Sequence, residues 1–125
     1  MKWRIVALFL IFGLGAFLAQ SSAFANHLED AISHTRAAIE EGKKGNTNAL
    51  VIHAKAALKS ATSVYASTVG SFSSREADAK AQINAHVKES LVNLKAAISE
   101  GKKTHAEAAT HQAEEALTHL EAAPH

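Results

Sequence analysis

The sequence predicts an all-α protein, an antiparallel up-down four-helix bundle made of two duplicated helical hairpins. Three observations predict it. Apolar residues recur with a period near 3.6 rather than 2. The composition is dominated by Ala, Lys, Glu and Leu, the residues that give up least on entering a helix. Residues 27–61 also align without gaps on residues 86–120, with twelve of the 35 pairs identical at an offset of 59.

The chain opens on a leader. Lys2 and Arg4 give a positive start, Ile5 to Ala19 is almost wholly apolar, and Ala23-Phe24-Ala25 has the small-x-small form of a cleavage site. The apolar run of fifteen residues is shorter than the roughly 20 that cross a bilayer as a helix. Residues 1–25 therefore read as a secretory signal peptide, with cleavage expected after Ala25 and a periplasmic or secreted product. No stable membrane association is expected after cleavage.

Loss of the leader changes the balance of the remainder. The whole chain carries 13 basic and 12 acidic side chains; without Lys2 and Arg4 the count is 11 against 12, a net of −1 with neutral histidine. No basic patch remains to attract nucleic acid. Tyr65 and Phe72 are the only aromatic residues after position 25, so the core must be built from Ala, Leu, Ile and Val in close, thin packing. Cysteine is absent, and the one methionine is Met1, so sulfur ligation is excluded for the processed chain.

The first helix places Leu28, Ala31, Ile32, Thr35, Ala38 and Ile39 on one face, and the third repeats this with Val87, Ser90, Leu91, Leu94, Ala97 and Ile98. Each ends in Glu-Gly-Lys-Lys, at 41–44 and 100–103. Gly42 and Gly101 are expected to stop their helices in the left-handed conformation, and the lysines to favour the C-terminal dipole. The second helix carries Ala49, Leu50, Ala54, Ala57, Leu58, Ala61, Val64 and Tyr65, and the fourth Ala109, Ala113, Ala116, Leu117 and Leu120. Thr104 with Glu107 and Ser73 with Glu76 have the spacing of capping boxes. The expected organisation is a hairpin over 27–66, a Gly/Ser-rich connector over 67–74 and a second hairpin over 75–122.

All eight histidines follow residue 25, and six lie on a seven-residue grid that respects the repeat: His27, His34, His53, His86, His105 and His119. At about 100° per residue, with His27 at zero, the apolar face of the first helix centres near 80°, with His34 near −20° and Asp30 near −60°. The imidazoles thus flank the core and stay partly solvated. Seven residues climb about 10.5 Å, too far for neighbours on one helix to share an ion at metal–nitrogen bonds of about 2.0–2.1 Å. Ligands for one ion must come from i±3 or i±4, or from the adjacent helix. Locally these are Asp30 with His34, His86 with Glu89, Glu107 with His111, His111 with Glu115, and Glu115 with His119.

If the first turn centres near residue 43 or 44, residues whose numbers sum to about 87 are level across the hairpin, and the offset makes the second sum 205. His34 then meets His53, His86 meets His119, Glu100 meets His105, and Asn93 meets Gln112. Whether these flanks face each other or point outward depends on the hand of the hairpin.

His27-Leu-Glu-Asp-Ala-Ile-Ser-His34, the two Glu-Gly-Lys-Lys turns and His53-Ala-Lys-Ala-Ala-Leu-Lys resemble the small metal-binding protein family of bacterial periplasms, over essentially residues 27–120. The resemblance implies a histidine-rich four-helix bundle that binds copper and other divalent ions, in metal storage, buffering or tolerance. Asn46, Ser60, Asn93 and Gln112 stand at grid positions where the family favours imidazole.

With only nitrogen and oxygen donors, the Irving–Williams order favours Cu(II), then Ni(II) and Zn(II). His34 and His53 with Asp30, and His86 and His119 with Glu115 or Glu89, are the leading candidate ligands. His27, His105 and His111 follow. The expected function is divalent-metal binding, with metal ions as the partners and the oligomeric state left open. The alternative is a structural or chaperone-like helical bundle without a physiological metal. No enzyme is expected, since neither H-E-x-x-H nor Glu-x-x-His pairs on facing helices occur.

Overall fold

In a computed structural model, residues 22–69 and 74–124 are described. They form α1 (Ser22–Lys43), α2 (Thr47–Ser67), α3 (Ser74–Lys102) and α4 (Ala106–Ala122). α1 packs against α2 and α4, and α3 against the same two, while α2 and α4 touch only slightly. The helices therefore run around a square in chain order, an antiparallel bundle of two hairpins. Residues 1–21 of the expected leader and Ser73 of the expected Ser73–Glu76 cap lie outside the described residues. α1 already begins at Ser22, upstream of the expected cleavage point, and Phe24 packs against the core. Among the described residues no helix is long and apolar enough to cross a membrane.

The core follows the repeat. Ala31, Ala38, Ala54, Ala57, Ala61, Ala97, Ala109, Ala113 and Ala116 are fully buried, interleaved with the larger Leu50, Leu94, Leu120, Val64 and Val87. Each methyl contributes less than the ~1.5–3 kcal/mol of a buried Leu or Val. Alanine compensates by letting helix axes approach to about 8 Å, the short end of helix packing, which brings backbones into dispersion contact. Hydroxyls in this core bond their own helix: Thr35 Oγ1 donates to Ala31 O at 2.6 Å and Ser90 Oγ to Val87 O at 2.6 Å. They need no partner from another helix.

Both turns differ from the sequence expectation, and in the same way. Gly42 and Gly101 lie within α1 and α3 instead of ending them, and the left-handed residues are Gly45, at φ 78°, and Thr104, at φ 64°. Gly45 N–H donates to Gly42 O at 2.9 Å and Asn46 N–H to Glu41 O at 2.9 Å; the second turn repeats this with Thr104 to Gly101 at 3.0 Å and His105 to Glu100 at 3.0 Å. This is the paired pattern of a Schellman stop, three residues later than the glycine suggested.

What Gly42 and Gly101 supply is room. A Cβ on Gly42 would lie 2.7 Å from Leu50 Cδ1 and closer still to Thr110 Oγ1, and one on Gly101 would lie 2.5 Å from Val51 Cγ2. The expected Thr104–Glu107 capping box is also corrected. Thr104 is the left-handed residue before the helix, its hydroxyl donating to Lys103 O at 2.6 Å, and the N-cap of α4 is His105, with no side-chain cap bond. The threonine is used up by the stop that precedes it.

Exposed ion pairs join the hairpins, Arg36 to Glu121 at 2.5 Å and Lys43 to Glu114 at 3.2 Å. Each is worth about 0–1 kcal/mol at such exposure. The Thr68 hydroxyl also hydrogen-bonds the Asn84 side chain, fixing the end of α2 against α3.

Two substitutions check these assignments by urea unfolding. Gly42→Ala should lower stability by about 1–3 kcal/mol, the cost of overpacking a tight contact. Thr104→Gly should raise it by up to about 1 kcal/mol, because relief of a left-handed β-branched residue outweighs the entropy of glycine. An unchanged midpoint in both would show that the turn geometry is wrong.

Candidate metal centre

The Schellman turn sets the hairpin register, and the register sets the site. Asn46, the residue after left-handed Gly45, is also the N-cap of α2, so one helix ends and the next begins with almost no intervening chain. The second hairpin does the same through His105. Glu41 accepts from the Asn46 side chain at 3.0 Å, and Glu100 pairs with His105 Nδ1 at 2.7 Å. These are residues summing to 87 and 205, the register expected from sequence.

Seven residues along each helix from these contacts, the grid positions form rungs between the paired helices. In the α1/α2 seam the middle rung is His34 with His53, ring centres 5.9 Å apart and planes inclined by 29°. In the α3/α4 seam the rung farthest from the turn is His86 with His119, ring centres 6.3 Å apart and planes at 37°. The flanks therefore face each other across each hairpin. All four imidazoles are half-buried, edged by core on one side and by water on the other. The remaining rungs carry His27 with Ser60 and Asn93 with Gln112, placed by the same register.

Two imidazoles can share an ion here with small adjustment. A ring bound through one nitrogen holds its centre about 3 Å from the ion, so two rings on one ion have centres about 4.5–6 Å apart. The α1/α2 pair is at the edge of that range and the α3/α4 pair just beyond it. The second pair would need its ring centres to approach by only a few tenths of an ångström.

The expected carboxylates are nearby but not gathered. Asp30 is exposed one turn before His34. Glu89 borders a surface cleft together with His86, His119, Tyr65, Asn84 and Lys88. Glu115 is exposed and lies 3.3 Å from His111 Nε2 instead of at His119. Among the described residues no three His, Asp or Glu side chains are gathered as an ion-holding group. Tyr65, expected from sequence only as part of the apolar face of the second helix, joins this cleft through the α2/α3 register, which the connector does not fix; Asn84 and Lys88 reach it from α3 itself.

At the turn, His105 is oriented by a carboxylate. The Glu100 carboxylate can only accept, so Nδ1 donates, and a neutral ring in this tautomer would carry its lone pair on Nε2, the arrangement that orients metal-binding histidines. Lys103 donates to the same carboxylate at 3.0 Å. These bonds, His105 first and Lys103 second, hold the Glu100 carboxyl below its ordinary 4.5. In the first turn Lys44, at 2.9 Å, is the main cause of the same lowering at Glu41.

A carboxyl lowered in the folded state stabilises above its unfolded pKa, and that contribution disappears as pH falls through the folded value. His105→Ala should move the Glu100 titration upward toward 4.5, as followed by carboxyl NMR, and leave Glu41 unchanged. Movement of both, or of neither, would contradict the assigned pairing.

A model of the family described as small metal-binding protein matches residues 2–123. No curated protein matches the chain. The match runs over both hairpins and all ten candidate ligands. The chain belongs to the small metal-binding protein family.

Proposed function

We propose that this protein binds divalent transition-metal ions, Cu(II) foremost, outside the cytoplasm, and serves in their storage, buffering or tolerance without catalysing a reaction. The observation that carries the reading is the facing of His34 on His53 and of His86 on His119, once in each hairpin. Imidazole donors without sulfur suit Cu(II) best, with Ni(II) and Zn(II) behind it in the Irving–Williams series. The leader supports export, and cleavage after Ala25 would leave all eight histidines in the product.

The residues fit such a cargo in kind and placement. His34 and His53 would hold one ion with Asp30, and His86 and His119 another with Glu89 or Glu115. His27, His105 and His111 are further donors along the same surfaces. Protons compete for the imidazole lone pair, so affinity falls with pH and acid releases the ion.

Calorimetric titration with Cu(II) tests this. His34→Ala and His86→Ala should each remove one equivalent of bound ion while leaving the far-UV circular dichroism unchanged. Binding no tighter than that of a scrambled peptide with the same histidine count would favour a structural or chaperone-like bundle instead. The register makes a constructive prediction too: Asn93→His with Gln112→His should add one equivalent, since these positions correspond by the repeat to His34 and His53. Neither single substitution should do so.

A further inference from the structure

The two histidine rungs lie in different donor surroundings. We infer that the protein has two inequivalent ion sites: one closed by carboxylates at His86 and His119 that fills first, and an open one at His34 and His53 that exchanges its ion. The inference rests on the metal-binding reading above.

Around His86 and His119 the chain supplies two carboxylates. Glu89 follows His86 by three residues on α3 and borders the same cleft as both imidazoles. Glu115 precedes His119 by four residues on α4. The register puts Glu89 level with Ala116, and Glu115 level with Ser90, so both carboxylates stand on the turn side of the rung, about 5 Å away along the axes. Both are exposed and would swing inward by side-chain rotation to reach the ion, Glu115 exchanging its contact with His111 for one with the ion.

Two imidazoles and two carboxylates make four donors, and their charge cancels that of a divalent ion. Four protein donors close a tetrahedral or planar site, whereas fewer leave a position for water or another ligand. Lys88 also borders the cleft, but its long stem lets the ammonium turn out to solvent.

The other rung has less to offer. Every residue three or four positions from His34 or His53 is Ala or Leu except Asp30. Glu41, which also lies within electrostatic reach of His53, is engaged at the turn by Lys44 and Asn46, so two imidazoles and one carboxylate leave the ion with a net charge and an open position. An ion held that way is reached by competing ligands from solvent.

Tyr65 makes the order of filling visible. It is the chain's one tyrosine, it borders the His86/His119 cleft, and it lies about 18 Å along α2 from His53. Paramagnetic Cu(II) broadens nearby resonances. In a Cu(II) titration followed by NMR, the first equivalent should broaden the Tyr65 ring signals, and the second should broaden the amides around Ala54.

Glu89→Gln combined with Glu115→Gln should weaken the first step by at least about 10- to 100-fold, since even groups that only support a metal's ligands are worth that much. The same pair should leave the second step unchanged. Broadening at Ala54 before Tyr65, or two steps of equal affinity that the double substitution does not move, would overturn the inequivalence and leave metal binding standing. Absence of any Cu(II) binding would overturn both.

Discussion

The register of the two hairpins is the constraint on which the rest depends. It is set where a Schellman stop and a helix N-cap share one residue, Asn46 in the first hairpin and His105 in the second. With the chain reversed in so few residues, neither helix of a pair can slide along the other without breaking backbone bonds that satisfy the last carbonyls of α1 and α3. Glu41 and Glu100 reinforce the lock, each accepting from the backbone of that shared residue through its carbonyl and from its side chain through its carboxylate. Seven-residue steps from this fixed point then carry the histidine pairs into line.

The alanine core and the histidine seams are consequences of the same close approach. Small side chains bring the helix axes together, and imidazoles at the core edge of paired helices come within about 6 Å of each other, a separation that larger core residues would widen. Gly42 and Gly101 extend the principle to the turn end, where Leu50, Val51 and Thr110 occupy the space a Cβ would take. Packing density thus supports the donor geometry, while the fully buried hydroxyls of Thr35 and Ser90 are satisfied within their own helices.

The two hairpins are not identical. Asn46 both receives the helix end and caps the next helix, accepting from Ala49 N–H at 3.3 Å, whereas His105 binds Glu100 and caps nothing. Gly45 suits the left-handed position that Thr104 occupies less easily. The histidine rungs diverged as well, one at mid-seam and one at the far end, with carboxylates concentrated around the second. The first hairpin retains the better turn residues, and the second has more ligand donors.

Sequence alone determined the helices, the flank position of the imidazoles and the level at which they pair, because these follow from periodicity and residue counting along a rigid helix. It misplaced the helix stops. Glycine signals both a left-handed conformation and a close contact, and only the packing of Leu50, Val51 and Thr110 shows that Gly42 and Gly101 serve the latter. The hand of the hairpin was also beyond it, since the same angular offset turns the flanks inward or outward according to how the turn is wound. Tertiary structure decided that His34 faces His53 and His86 faces His119, and it brought Tyr65 to the cleft beside the second pair. Contacts between helices depend on dihedral angles at a few turn residues and on the α2/α3 register, neither of which is encoded as a period.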